Sequence, residues 1–319
     1  MAYVVRRVAY VIPIWIGITL LAFVMGLFAP GDPAAEIFSR AHGGRPPSTV
    51  ELERTRHELG LDDPAPERYL RSVADAAQGD LGTSYASGRP VMEELLERFP
   101  ATLQLAVAAT LLAVLLGLPL GVVAALRRNS VLDHVTRGAS LVAASIPSFW
   151  VAYLLIILFS VKLQLLPSFG TGGIDHLILP AVALALAEIG LVARLARASM
   201  LEVLGQEYLT TARAKGLPER RVIGLHAMKN ALAPVITQIG LIFGFLLAYS
   251  AIVEVIFVWP GIGRLAVEAI TQRDYPVIQG IVIFAGTVFI LVNLLVDLVY
   301  QRLDPRITIG GGRRRPATT

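Results

Sequence analysis

A helix needs roughly 20 apolar residues to cross the 30 Å or so of hydrocarbon in a bilayer. This chain of 319 residues holds six stretches of about that length: Val8–Pro30, Ala101–Leu126, Gly138–Val161, Leu177–Ala193, Leu232–Val258 and Val277–Tyr300. The fourth is interrupted by Glu188 and followed closely by Arg194 and Arg197. The first follows Arg6 and Arg7, as a signal peptide would, but its run is too long for a signal core and no small-x-small cleavage site closes it. It reads as an uncleaved span. The composition agrees, with 55% hydrophobic and 16% charged residues against roughly 25% charged in soluble domains. That excludes an ordinary soluble enzyme and a disordered chain, and the absence of cysteine excludes a disulfide scaffold and thiolate chemistry. The short alternating segments of an outer-membrane barrel are missing. The expected fold class is all-α, a polytopic membrane protein with six transmembrane helices.

Orientation follows from the positions of Lys and Arg. With the N-terminus inside, 17 of them fall in cytoplasmic segments and 11 outside. The large outer segment carries thirteen acidic residues against eight basic ones. Both termini are therefore expected in the cytoplasm. The chain divides into a first span (1–30), an extracytoplasmic segment with short helices (31–100), a five-helix core (101–300) containing a cytoplasmic loop at 199–231, and a basic tail (301–319). Helices are expected near Thr49–Leu59, Pro66–Ala77 and Val91–Phe99, in a segment too poor in large apolar residues to fold without packing on the spans or on a partner. The Gly310–Thr319 tail is expected to be disordered, its Arg313–Arg315 cluster suited to an anionic leaflet.

Pro13, Pro119, Pro147 and Pro180 lie within spans, where each removes a helical hydrogen bond and either kinks the bundle or marks a moving pathway element. Phosphate-loop and HExxH motifs are absent, and Gly82-Thr83-Ser84-Tyr85-Ala86 fails GxSxG at its last position. His42, His57, His134, His176 and His226 lie in loops or at span edges without metal-ligand clustering. Among the ionisable residues, Glu188 is either an interfacial carboxylate paired with Arg194 or a polar group lining a pathway or gate. Ser145, Pro147 and Ser148 join it as pathway or gate candidates. Glu254 and Asp297 read as interfacial anchors or interhelix hydrogen-bond partners.

The loop between the fourth and fifth spans is the most informative. Leu201, Leu204, Tyr208, Thr211 and Lys215 recur at helical spacing, which predicts an amphipathic helix. Gly216 is a natural residue to end it and Leu217-Pro218-Glu219 to begin another. The result is a helical elbow rimmed by Arg213, Lys215, Arg220 and Arg221. Physics alone allows it to lie on an anionic leaflet or to dock a protein. A bundle with no energy source of its own favours docking.

Glu207-Tyr-Leu-Thr-Thr-Ala-Arg-Ala-Lys-Gly-Leu217 and His226-Ala-Met-Lys-Asn-Ala-Leu-Ala-Pro234 resemble the permease subunits of ABC importers of the dipeptide/oligopeptide/nickel family. So do Arg56-His-Glu-Leu-Gly-Leu-Asp62, Gly79-Asp-Leu-Gly82, Ser145-Ile-Pro-Ser-Phe-Trp150, Val258-Trp-Pro-Gly-Ile-Gly-Arg264, Arg273-Asp-Tyr-Pro276 and Leu303-Asp-Pro-Arg306. Their order and spacing cover nearly the whole chain, and the long outer segment is similar to the first of two paired permeases. Thr210-Thr211-Ala212 stands where the general importer signature has Glu-Ala-Ala, and the interval from Gly216 to Pro234 is longer than that signature allows; peptide-type members tolerate both, and no role of that glutamate carries over. The resemblance implies a type I importer fold in a prokaryotic inner membrane, with a sister permease, two ATPases and an extracytoplasmic binding protein as partners, surrounding lipid and no nucleic acid. It implies that this chain binds no cofactor, ATP and Mg being held by the ATPases. Thr210, Thr211, Ala212, Arg213, Ala214, Lys215, Gly216, Leu217, Glu219, Arg220 and Arg221 would form the helix that seats in an ATPase. Peptides are the expected cargo, with nickel chelates or another small solute as the alternative. A proton-coupled carrier using Glu188 and a non-transporting scaffold are the remaining readings.

Overall fold

A computed structural model describes residues 2–28 and 31–303, with side chains over 10–28 and 31–296. Pro30, the side chain of Asp297, the side chains of the Leu303–Arg306 motif and the Gly310–Thr319 tail with its arginine cluster lie outside the described residues. The chain is all-α, and among the described residues no β-strand forms beyond an isolated bridge between Thr83 and Pro90. Among the described residues five helices are long and apolar enough to span a membrane, and a sharply bent pair makes a sixth when it is counted as one span. The spanning helices are α1 (Ala2–Leu27), α5 (Val91–Leu126), the pair α6 (Val131–Ser145) and α7 (Ser148–Lys162), α8 (Ile174–Leu204), α10 (Glu219–Tyr249) and α13 (Tyr275–Leu303). Short helices α2 (Pro33–Ala41), α3 (Thr49–Glu58), α4 (Ala65–Ala77), α9 (Glu207–Ala214), α11 (Ala251–Ile256) and α12 (Ile262–Gln272) connect them.

Several boundaries differ from the sequence expectation. The helix expected at Val91–Phe99 runs on through Pro100 into the second span, as one helix of 36 residues. A π-helical turn at Ala113–Gly117 immediately precedes Pro119, where the missing N–H interrupts the regular ladder. The third span is not continuous. Pro147 disfavours the helical conformation for the residue before it; Ile146 is extended at φ −89°, ψ 124°, and the two halves meet at 100°. Ser145 Oγ donates to the Leu141 carbonyl at 2.9 Å, back into the last turn before the break. The fourth span runs past Arg194 and Arg197 to Leu204 as a single helix of 31 residues, absorbing Pro180. Helix α2 was not anticipated; Asp32 caps it through Ala34 N at 3.0 Å, with Pro33 in its first turn.

The most buried span, α8, is the axis of the bundle. A Cβ at Gly121 of α5 would run into the Ala193 carbonyl, so only glycine lets those two helices pack this closely. Helix α6 lies antiparallel to α8, with Asp133 opposite Arg197 and Ser140 against Gly190. Asp133, fully buried, receives Arg197 Nε at 2.5 Å and Nη2 at 2.9 Å, together with the Asn129 N–H at 3.0 Å. This two-pronged pair fixes the register of the two helices.

The other end of the bundle is tied by two buried carboxylates. Glu254 on α11 accepts from Ser250 Oγ at 2.7 Å, from Thr102 Oγ1 of α5 at 2.8 Å and from the Arg264 N–H at 3.0 Å. Thr102 Oγ1 in turn accepts from Ile262 N at 2.8 Å. The sequence left Glu254 between anchor and interhelix partner; it is the interhelix partner. Asp274 accepts from Ser84 Oγ at 2.6 Å, Ala86 N at 2.9 Å and Tyr85 N at 3.1 Å, tying the 79–90 loop to the start of α13. The outer segment thus packs on the spans. Tyr69 of α4 donates to the Ile16 carbonyl of α1 at 3.1 Å, its ring 5.5 Å from Phe23, and Arg40 of α2 reaches the Gln272 carbonyl at 2.8 Å. Helix α3 starts on a reciprocal Ser48–Glu51 cap, and the Ser48 backbone and hydroxyl, with Arg45 beside them, hold the Glu51 carboxyl down to about 2.

Asp274→Ala strands one buried hydroxyl and two N–H groups, at a cost of about 3 kcal/mol. It is expected to make the 79–90 loop cleavable in limited proteolysis while the spans stay intact. A Cβ at Gly261 would collide with Glu254 and with Thr102 Oγ1. Gly261→Ala is therefore expected to destabilise the fold by about 2 kcal/mol, read as a lower unfolding temperature in detergent; an unchanged temperature would show that the Glu254 cluster yields freely.

Candidate functional site

The elbow forms as a rigid unit. Helix α9 ends at Ala214, and Gly216 takes φ +78°, a left-handed conformation that a residue with a Cβ adopts only at a cost. Its N–H donates to the Arg213 carbonyl at 2.9 Å and that of Leu217 to Ala212 at 3.4 Å, closing the helix end. Pro218 is extended and α10 begins at Glu219. Across the turn Arg213 donates twice to Glu219, Nε to Oε2 at 3.1 Å and Nη2 to Oε1 at 2.9 Å. The two ends of the turn are pinned together.

The amphipathic helix expected from Leu201 to Lys215 is broken in two. Leu201 and Leu204 belong to α8, which stops at Gly205, and the chain restarts at Glu207 with Tyr208, Thr211 and Lys215 exposed. The break resets the helical phase, so Leu209 and Ala212 point inward instead. They pack with Val122 and Ala125 of α5, Met200 of α8 and Val222, Ala227 and Ala231 of α10. Tyr208 is held from another side, its hydroxyl accepting from Asn230 Nδ2 at 2.7 Å. Four helices therefore share one apolar cluster beneath the elbow, and Thr210, Thr211, Arg213, Ala214, Lys215, Gly216, Glu219, Arg220 and Arg221 form its exposed outer surface, with Leu217 half-buried. A π-helical turn at Val222–Ala227 joins this surface to the fifth span.

The second group of sequence candidates lies at mid-bundle. Ser145 and Pro147 are exposed at the break of the third span, with Ser148 half-buried beyond it. Glu188 is half-buried on α8 and does not pair with Arg194; among the described residues neither finds a hydrogen-bond or ion-pair partner. The antiparallel register that sets Asp133 against Arg197 and Ser140 against Gly190 brings Val142 level with Glu188, so Ser145 lies about one turn away in depth. The elbow and this group are separate sites joined by α8. Asp133, Arg197 and Thr102 were passed over in the sequence, where a single charge or hydroxyl at a helix end carries no mark of its distant partner.

Residues 117–309 match the family described as the binding-protein-dependent transport system inner membrane component, and residues 1–106 match the N-terminal domain of such components. The chain is 43% identical to the dipeptide transport system permease protein DppB of Escherichia coli K12, over 96% of this chain and 98% of that one. It is 41% identical to the di/tripeptide transport system permease protein DppB of Pseudomonas aeruginosa, over 96% and 98%. Among solved structures, the inward-facing MetNI methionine ABC transporter shares the fold with a TM-score of 0.58 at 18% identity, over 67% of this chain and 97% of that one. An amino acid ABC transporter crystallised with histidines gives 0.54 at 20% identity, over 66% and 94%. The unmatched third corresponds in size to the long outer segment and first span. Fold, motif order and relatives converge, and the chain belongs to the family of inner-membrane components of binding-protein-dependent transport systems, as a multi-pass permease subunit of an ABC importer.

Proposed function

We propose that this permease, paired with a sister permease, passes di- or oligopeptides from an extracytoplasmic binding protein into the cytoplasm, driven by two cytoplasmic ATPases that hold the ATP and Mg. The observation that carries the reading is the elbow: an exposed, basic, internally pinned tip whose underside is shared by α5, α8 and α10. A displacement of the tip cannot be absorbed locally, because close-packed interiors transmit strain rather than dissipating it. It moves the ends of three spans together. The exposed residues from Thr210 to Arg221 are then the surface that seats in an ATPase, and both termini face the cytoplasm with the elbow.

The peptide cargo is supported by relatives named as dipeptide and di/tripeptide permeases at 41–43% identity over nearly the full length. The carboxylates favour ATP drive over proton coupling. Asp133 and Glu254 already hold three hydrogen bonds each from structural donors, which leaves them poorly placed to exchange a proton during transport. The binding protein would meet the opposite end, on the outer helices and the Trp259–Pro276 connection that Glu254 and Asp274 hold in place. A cycle of this kind turns on differential affinity, the ATP-bound partners and the loaded binding protein favouring one bundle arrangement over the other.

The test is uptake by the whole complex in proteoliposomes. Arg213→Glu places two carboxylates across the Gly216 turn and is expected to lower both peptide uptake and stimulated ATP hydrolysis by at least tenfold. The exchange Arg213→Glu with Glu219→Arg restores the pair and is expected to recover a substantial part of both. Unchanged uptake and hydrolysis in Arg213→Glu would remove the elbow from the coupling path.

A further inference from the structure

At the end of the bundle away from the elbow, α1, α4, α13 and the 80–82 turn leave a cavity of about 310 Å³ between them. Its walls divide by character. Phe23 of α1, Ile283 of α13 and Leu61 and Leu81 of the connecting turns are apolar. Helix α4 lines the other side with Arg68, Arg71, Ser72 and Asp75, which stand at i, i+3, i+4 and i+7 on one helical face. The charges on that face are ordered, both arginines toward its start and Asp75 two turns from Arg68. Asp80 lines the cavity too, and its N–H donates to the Asp75 carbonyl at 2.9 Å, so the two acidic residues mark the same end.

These groups differ in what they already hold. Arg71 is answered by Asp63 at 2.6 Å, and Asp80 Oδ1 accepts from the Gly82 N–H at 2.8 Å. Arg68 has a single long contact, 3.4 Å to the Leu61 carbonyl. The Asp75 carboxylate, the Ser72 hydroxyl and the phenol of Tyr85, which lines the same cavity, have no partner among the described residues. Burial and the nearby Asp274 carboxylate push the Tyr85 phenol up to about 12, so it keeps its proton as a donor. Free donors and acceptors set against apolar walls are the lining of a small-molecule site, and the volume falls at the lower end of the range of such sites, about 300–1,000 Å³.

Seven residues separate Arg68 from Asp75 by about 10.5 Å along the helix axis and by only about 20° around it, so the two poles stand in line. An extended chain gains about 3.3–3.6 Å per residue, and three residues span about 10–11 Å. We propose that this face of α4 is a receiving site for short peptides with free ends, the carboxylate at Arg68, the ammonium at Asp75 and Asp80, and the backbone between them held by Ser72 and Tyr85. An ethanolamine headgroup separates its charges by two carbons and a single amino acid by one, too few to bridge two helical turns. The assignment rests on the peptide-import reading above. It adds a cargo contact on the permease itself, at the end where the binding protein would dock.

The experiment measures binding of trialanine by calorimetry to the detergent-solubilised complex without binding protein or ATP. Uptake of trialanine by the same complex, with both supplied, is followed in proteoliposomes. Wild type is expected to bind trialanine, and to bind alanine and end-blocked trialanine at least tenfold more weakly. Arg68→Gln and Asp75→Asn are each expected to weaken trialanine binding at least tenfold, with subunit stoichiometry and unfolding temperature unchanged. Binding that survives in both variants puts the peptide elsewhere and overturns the assignment, as does alanine bound as tightly as trialanine. Phospholipid that co-purifies with wild type and is lost from both variants, while trialanine fails to bind, overturns it in favour of a lipid site. Wild-type uptake with no binding in the absence of the binding protein also overturns it and leaves the import reading standing. A wild-type complex that binds trialanine without importing it overturns the import reading, and with it the cargo role of this face.

Discussion

The two-pronged contact between Asp133 and Arg197 is the interaction on which the bundle's arrangement depends. It pins the antiparallel register of α6 against α8, and α8 is the helix around which the other spans pack. Between apolar helices in an apolar solvent no hydrophobic gain distinguishes one register from another. A buried charge pair with fixed geometry does distinguish them, because a slip by one residue would leave both charges unanswered. The contact lies at the elbow end. At the other end Glu254 and Asp274 perform the corresponding task through hydroxyls and backbone N–H groups.

Between these tied ends the spans are held by a continuous apolar cluster that includes Leu105, Ala185, Val192 and Ile242. The third span breaks at Pro147, and Glu188 and Arg194 stand without partners. The apolar cluster under the Gly216 elbow links the two regions, since α8 contributes Met200 to it and carries both unpaired charges.

Much of this was legible in the chain. Six apolar runs fixed the class, Thr49–Leu59 and Pro66–Ala77 marked two outer helices that form within one or two residues of those limits, and Gly216 with Pro218 marked the elbow. What misled was local. Pro100 reads as a boundary, yet the helix continues through it, because a proline removes one hydrogen bond and a long packed span can absorb that. Leu201, Leu204, Tyr208, Thr211 and Lys215 read as one stripe of a single helix, yet Gly205 ends α8 and the restart turns Leu209 and Ala212 inward. Helical periodicity holds only while the helix is unbroken, and one glycine is a weak signal of a break.

The sequence by itself determined that this chain crosses a membrane several times, where its helical elbow lies and which family its motifs belong to. Those properties follow from composition and spacing, which act along the chain. The tertiary structure alone decided which charges are answered. Asp133 and Arg197, 64 residues apart, and Thr102 and Glu254, 152 apart, become partners because packing brings their helices together. Glu188 and Arg194, only six apart, are kept from pairing by the pitch of the helix they share. Nothing in the order of residues separates these cases, because the energy of a buried charge depends on what surrounds it in space.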